Sequence, residues 1–172
     1  MPNPRCAPRT WSGPRPRTSA CRAGQLAARY QNGGLATQNH FGNIDIADIS
    51  PRQCTLTGPL RLRGLTAGGR AATGTVSIPV SPTLTLTPDA GAATLERDTG
   101  SALAATFTFA GATTGPPFGQ CVAGEMHPAS WALALPGGGS VLSANGRGSG
   151  GFYSCAGSLF YERGMGPELL PG

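Results

Sequence analysis

The stretch Cys54–Leu65, CTLTGPLRLRGL, decides the fold class. In its second half Leu60 and Leu62 alternate with Arg61 and Arg63, so one side of an extended chain is apolar and the other is charged. A period of two residues is the pattern of a half-buried β-strand. The Gly-Pro pair before it is typical of a break between two strands. The stretch therefore predicts strands with one face in a core and one face in water.

Similar short segments recur along the chain, separated by turn-forming residues at intervals of about ten positions. We expect strands in the following ranges: Gln25–Tyr30, Phe41–Ile49, Thr75–Val80, Thr83–Thr87, Ala92–Asp98, Ala102–Phe109, Ser130–Leu135, Val141–Ala144 and Gly151–Tyr161. The first should end at Asn32-Gly33-Gly34, and the strand at 130–135 at Pro136-Gly137-Gly138-Gly139. Such a count and spacing favour an all-β, immunoglobulin-like two-sheet β-sandwich over a barrel or an α/β fold.

One segment is ambiguous. The stretch Pro88–Asp98 contains Ala, Leu, Glu and Arg, which favour a helix. Its opening residues, Thr87-Pro88-Asp89-Ala90-Gly91, are more typical of a turn that enters a strand. We therefore predict a strand there.

The composition predicts one folded domain with tails. Residues 1–20 contain many Pro and Arg without apolar periodicity and are expected to be disordered, residues 21–163 to form the sandwich, and residues 164–172 to be a flexible C-terminal tail. Only 30 of the 172 residues are Leu, Ile, Val or Phe. A core with so few large side chains needs additional stabilisation.

Cysteines are the expected source of that stabilisation. None of the five forms a C-x-x-C pair, and four of them are spread widely through a Thr/Ser/Gly-rich chain: Cys21, Cys54, Cys121 and Cys155. This is typical of structural disulfides in an oxidising compartment, although buried thiols in a reduced protein are the alternative. Four cysteines allow three pairings. We favour Cys21 with Cys54 and Cys121 with Cys155, which join sequence neighbours and leave Cys6 free.

The positive charge of the chain is localised in the tail. Five Arg lie in the first 22 residues without any acid, whereas eight Arg and eight Asp or Glu follow. The tail has one aromatic residue, Trp11, so nucleic acid is not the expected partner. The longest uncharged span, Thr99–Gly124, is interrupted by Gly and Pro, so no transmembrane segment is predicted. We expect an extracellular or cell-envelope location, with a signal peptide not present in this chain.

Several short motifs are similar to those of a known family. They are Cys21, the strand Asn43–Ile49, the C-T-L-x-G stretch Cys54–Gly58, the L-x-P turn Leu86–Pro88 followed by Asp, and two further cysteines, Cys121 and Cys155. In these the chain resembles a secreted actinobacterial family of domains of unknown function. It departs from that family at Asp48-Ile49-Ser50, where Asn-x-Gly or Asn-x-Ser is usual, and at Pro59, which follows C-T-L-x-G directly. The resemblance implies an immunoglobulin-like sandwich, export and an unassigned function.

Catalytic and cofactor motifs are weak. Gly146–Gly151 matches G-x-G-x-x-G, but a strand-like segment follows it instead of the helix that a dinucleotide site requires, so no cofactor is predicted. With two histidines in the chain, no metal site is expected either. One alternative to a binding protein is a hydrolase assembled from scattered residues near His127 and Glu125, with His40 as a further candidate.

Paired aromatic residues suggest where a binding surface lies. Neighbours in a strand point to opposite faces, so one member of the pair Phe152 and Tyr153, and one of Phe160 and Tyr161, should be exposed. Packing at a sheet edge is the alternative reading. We therefore predict a cell-envelope binding or interaction module without catalysis, with an unknown protein or an envelope polymer as its partner. A structural spacer is the third possibility.

Overall fold

A computed structural model describes residues 18–80, 83–88, 105–114, 119–145 and 151–166. Within these ranges the chain is all-β and has one 3₁₀ turn, at Ala23–Gln25, and no α-helix. No helix in this part is long and apolar enough to cross a membrane. The strands, in chain order, are β1 Ser19–Ala20, β2 Leu26–Ala36, β3 Asn39–Asp48, β4 Cys54–Leu56, β5 Leu60–Leu65, β6 Ala71–Ile78, β7 Leu84–Leu86, β8 Ala105–Ala112, β9 Glu125–Met126, β10 Ser130–Ala134, β11 Ser140–Ala144, β12 Ser154–Cys155 and β13 Leu159–Gly166.

Two four-stranded antiparallel sheets form the body of the domain. The front sheet has the order β13-β8-β3-β2, and the back sheet has the order β11-β10-β5-β6. The edge strands of the two sheets lie against each other, because β2 contacts β11 and β13 contacts β6. The two sheets therefore face each other as a sandwich, with the alternating apolar residues of both inside.

Each disulfide cross-links segments of one short sheet. Cys21–Cys54 joins the chain after β1 to β4, within the three-stranded sheet β1-β4-β7. Cys121–Cys155 joins the loop before β9 to β12, and these two strands pair. Both pairings are the predicted ones. Each closes a loop of 33 or 34 residues, which stabilises the fold by about 3–4 kcal/mol on the chain-entropy model. Cys6 lies outside the described residues.

Aromatic side chains fill the centre of the sandwich. Phe109 on β8 of the front sheet contacts Trp131 on β10 of the back sheet edge-to-face, with ring centroids 4.5 Å apart. Phe152 packs against both rings, at 5.0 Å from Phe109 and 5.2 Å from Trp131. Tyr30 on β2 stacks on Trp131 at 6.4 Å. Few but large side chains thus bridge the two sheets.

Buried Asn145 holds this aromatic cluster in place. Its Oδ1 accepts hydrogen bonds from Trp131 Nε1 at 3.2 Å and from the Phe152 backbone N at 3.0 Å. Its Nδ2 donates to the carbonyl oxygens of Pro128 and Phe152, at 2.8 and 3.1 Å. One side-chain amide therefore connects the end of β11, the loop before β10 and the segment before β12.

The alternation that decided the fold class is confirmed. Leu60 and Leu62 on β5 are fully buried, and Arg61 and Arg63 point to solvent. The turn predicted at 136–139 joins β10 to β11. The range Ala92–Asp98 lies outside the described residues, as do residues 102–104, most of the ambiguous segment 88–98 and the first 17 residues of the predicted tail. A strand lies in each of the other predicted ranges.

The predicted end of the first strand is wrong. β2 runs through Asn32-Gly33-Gly34, where the register with β3 shifts in a β-bulge. A Cβ on Gly33 would lie 2.9 Å from the Phe41 Cβ, so the glycine permits close approach of the two strands. The hairpin turn is Thr37-Gln38, both with positive φ, and Thr113 fixes it by donating from its N and its Oγ1 to the Gln38 carbonyl oxygen.

The predicted tail boundaries also shift. Ser19 and Ala20 pair in parallel with Cys54 and Thr55, because the neighbouring disulfide holds the two segments together. At the other end β13 continues to Gly166 instead of ending at residue 163, since it pairs with β8 as far as Thr106. The predicted strand Gly151–Tyr161 is in fact two strands, β12 and β13, separated by a turn at 156–157.

We predict that Asn145→Ala lowers the free energy of unfolding by about 3–5 kcal/mol, because four buried groups lose their partner at once. Chemical denaturation monitored by tryptophan fluorescence measures this, since Trp131 is one of the four partners. Gln53→Ala is the matched control: its exposed amide makes only a hydrogen bond to Thr18, and its loss should change stability by less than about 0.5 kcal/mol. Equal effects of the two substitutions would contradict the role assigned to Asn145.

Candidate functional site

The four aromatic residues of the predicted binding surface do not lie together. Phe152 is 1% exposed and belongs to the aromatic core, so its assignment to the surface is wrong; the hydrogen bonds from Asn145 fix its backbone there. Tyr153 is half-buried. Phe160 and Tyr161 are 39% and 48% exposed, because β13 is the edge strand of the front sheet and leaves both of its faces accessible at that point.

His40 is a structural histidine on β3. Its ring stacks on Phe152 with centroids 4.9 Å apart and is buried. The Tyr153 backbone N donates to His40 Nδ1 at 3.2 Å, which places the ring proton on Nε2, and Nε2 contacts Asn32 Oδ1 at 2.9 Å. Burial lowers the pKa of His40 below its usual value. Both ring nitrogens are occupied, so His40 offers no free base to a substrate.

His127 and Glu125 do come together, at the surface. His127 Nε2 lies 3.3 Å from Glu125 Oε2, and the His127 ring stacks on Tyr153 at 5.8 Å. Tyr153 thus separates this exposed pair from buried His40. Residues 146–150 of the G-x-G-x-x-G match lie outside the described residues.

A more extended arrangement covers the outer face of the front sheet. Residues directly opposite each other on neighbouring strands point to the same side, so the register defines three rows of outward side chains. The first row contains Arg29, Asp45 and Thr106; the second contains Gln31, Asn43, Thr108 and Arg163; the third contains Phe41, Ala110 and Phe160. We call this surface the front face.

Hydrogen bonds order the first two rows. Asp45 is buried and accepts from Arg29 Nη2 at 3.3 Å and from Gln31 Nε2. Thr108 Oγ1 donates to Asn43 Oδ1 at 2.8 Å. The Asn43 Oδ1 is therefore occupied, whereas the two protons of its Nδ2 remain available to a ligand. Arg163 stands opposite Thr108 on the edge strand and is exposed.

The third row forms an apolar patch. Phe41 on β3 and Phe160 on β13 stand on either side of Ala110 on β8, which is fully buried. Two strand spacings separate the Cα positions of the aromatic residues, about 10 Å. The patch lies next to the row of amide, hydroxyl and guanidinium groups. Flat apolar surface and convergent polar donors therefore meet on one rigid sheet.

Most residues of the front face were not predicted from the sequence. Phe160 was predicted to be part of a binding surface. The other residues were not: Phe41, Asn43, Thr108 and Arg163. The signal was present in Phe41–Asp48, FGNIDIAD, where Phe41, Asn43 and Asp45 share one face of the strand. What the sequence lacked was the pairing of β3 with β8 and of β8 with β13, which brings Thr108, Phe160 and Arg163 to the same surface.

Comparisons of the chain with protein-family models, with curated proteins and with solved structures find no match. The similarity to a secreted actinobacterial family stays a prediction, and so does the family's immunoglobulin-like fold. Among the residues that the structure describes, no group of three or more His, Cys, Asp or Glu side chains is placed to hold a metal ion.

We predict that stability falls as the pH drops below about 6.5, the ordinary pKa of histidine. Because the pKa of folded His40 is lower than that of the unfolded chain, the unfolded state binds the proton first. The stabilisation by neutral, buried His40 is complete above the pKa that this histidine has in the unfolded chain. It is lost as the pH falls through the pKa of His40 in the folded protein, and the free energy of unfolding then falls by at most about 1.4 kcal/mol per pH unit.

Urea denaturation between about pH 8 and pH 5 measures this dependence. His40→Gln should flatten it, since glutamine can still accept from Tyr153 N and donate to Asn32. His127→Gln, at an exposed site, is the control and should retain the slope of the unmodified protein. A slope that survives in the His40 variant would show that another group causes it.

Proposed function

We propose that this chain is a non-catalytic binding module of the cell envelope and that its front face binds an envelope polysaccharide. The observation that carries the proposal is the apolar patch of Phe41 and Phe160 beside the amide protons of Asn43 and the exposed guanidinium of Arg163. The proposal keeps Phe160 from the predicted surface and adds residues of β3 and β8.

A sugar polymer suits this combination of groups. A pyranose ring has apolar C–H faces that stack on aromatic rings and a rim of hydroxyl groups that need hydrogen-bond partners. Asn43 Nδ2 and Arg163 supply donors, and the Thr108 hydroxyl oxygen supplies an acceptor. The groups lie on a sheet that the sandwich keeps rigid, so little conformational entropy is lost on binding.

Two disulfides support an extracellular or envelope location, because such bonds persist in oxidising compartments. An open, nearly flat face also suits a long polymer better than a small substrate, which usually needs an enclosed cleft. Of the two partners predicted from the sequence, a protein and an envelope polymer, we propose the polymer. We propose neither a nucleic acid nor a cofactor.

We also propose that the sandwich is a variant of the immunoglobulin arrangement. In immunoglobulin domains strands A-B-E-D face C-F-G, with C′ added beside C in variable domains. Taking β2, β3 and β8 as A, B and E, and β6, β5, β10 and β11 as C′, C, F and G, reproduces the neighbours in both sheets. The departure is β13, which occupies the place of strand D although it is the last described strand of the chain.

A hydrolase is the second candidate, favoured by the contact of His127 with Glu125 at 3.3 Å. A carboxylate beside a histidine is one part of an acid-base site. Turnover of envelope polysaccharide that stops in His127→Gln and persists in Phe160→Ser would favour this candidate over a binding module.

We predict that Phe160→Ser weakens binding to purified envelope polysaccharide about five- to tenfold, the size of one lost aromatic contact. Co-sedimentation with insoluble cell-wall polysaccharide, followed by titration with soluble fragments, measures the change. Asn43→Ala should weaken binding by a similar factor through its lost amide protons.

Leu142→Ser is the matched control, because Leu142 is also an exposed apolar residue, 62% against 39% for Phe160, but lies on the outer face of the back sheet. Its binding should equal that of the unmodified protein. The proposal fails if the unmodified protein binds no polysaccharide, or if Leu142→Ser and Phe160→Ser weaken binding to the same extent while both remain folded.

A further inference from the structure

The outer face of the back sheet carries a second, chemically different surface. We propose that it binds the phosphate groups of an anionic polymer through Arg61 and Arg63. Both residues lie on β5, two positions apart, so their side chains leave the same face of the sheet at Cα positions about 7 Å apart. Because this face is opposite the front face, the inference is independent of the proposed polysaccharide site.

The register places small and hydroxylated residues around the two arginines. In one row Arg63 lies between Thr75 on β6 and Ala132 on β10. In the next row Arg61 lies between Ser77 and Ala134. Ser140 on β11 continues that second row.

A shallow depression of about 190 Å³ lies over these two rows, lined by Arg61, Arg63, Thr75, Ala132, Ala134 and Ser140. The small side chains of Ala132 and Ala134 leave space for it, and the arginines and hydroxyl groups provide hydrogen-bond donors along it. Neighbouring side chains on a sheet face are normally in contact, so small residues here leave room that larger ones would fill. The depression is accessible to an extended chain that runs along β5.

Among the described residues, no acidic side chain neutralises the two guanidinium groups. The four acidic residues within the described part of the chain are Asp45, Asp48, Glu125 and Glu162, and all lie on other strands. Neither arginine forms an ion pair in this part. The face is therefore positive and unpaired, although the chain after residue 22 is formally neutral.

Phosphate is the anion that this geometry favours. A guanidinium group presents a planar fork of N–H donors that matches two oxygens of a phosphate, and neighbouring hydroxyl groups donate to the remaining oxygens. Single-stranded nucleic acid is disfavoured, because its bases need aromatic side chains to stack on. The outward residues of β5, β6, β10 and β11 include no aromatic residue.

We predict that an inorganic polyphosphate chain binds the full-length protein and that Arg61→Gln/Arg63→Gln weakens this binding at least about tenfold. Fluorescence anisotropy with labelled polyphosphate at fixed, low salt measures the affinity. Arg61→Lys/Arg63→Lys retains the charge without the fork and should show an intermediate affinity. Inorganic phosphate alone should compete only weakly, because a polymer engages several groups at once.

Arg22→Gln/Arg52→Gln is the matched control: it removes the same charge from two exposed arginines outside this face and should alter affinity less than about twofold. Equal weakening by both double variants would mean that net charge alone attracts the probe and would overturn the site. Polyglutamate binding as tightly as polyphosphate would overturn the preference for phosphate. Single-stranded DNA binding more tightly than polyphosphate would overturn the choice of partner in favour of nucleic acid.

Discussion

The contact between Phe109 and Trp131 is the constraint on which the rest of the structure depends. The chain has few large aliphatic side chains, so the gap between the sheets is filled at its centre by aromatic rings from both sides. Phe152 and Tyr30 complete this cluster, and Asn145 fixes its orientation by hydrogen bonds. Gly42 allows it to close, because a Cβ there would lie 2.6 Å from the Phe109 ring. The disulfides cross-link the segments of the two shorter sheets.

An aromatic core of this kind leaves the outer faces free of any structural role in closing the sandwich. On the front face, strand pairing brings an apolar patch and polar side chains together; on the back face, it places two arginines beside small residues. The two surfaces differ in chemistry because their strands carry different outward side chains. The polysaccharide and the phosphate polymer proposed above correspond to these two faces.

Much of the fold was predictable from the sequence, because alternation is a local property: Leu60 and Leu62 point inward, and the strand TLTLT contains β7. The disulfide pairing was the favoured one of three, because it joins cysteines that are neighbours in the sequence. The turn of the first hairpin could not be predicted from the local sequence. Thr37 and Gln38 adopt positive φ, and the hydrogen bond that supports this turn comes from Thr113, which is 75 residues from Gln38. The site was largely missed for the same reason. Phe160 becomes a neighbour of Phe41 through β8, and neither the register nor the edge position of β13 is encoded locally.

A double-mutant cycle on Phe109→Leu and Trp131→Leu tests the central claim most directly. Each single variant loses the contact between the two rings as well as the packing of its own side chain. The sum of the two single effects therefore counts that contact twice, whereas the double variant loses it once, so the cycle isolates the contact between the sheets. The account predicts a coupling free energy of about 0.5–1.5 kcal/mol in chemical denaturation. Strictly additive effects would contradict it, and would show that the sheets are held together by their separate apolar side chains and not by this contact.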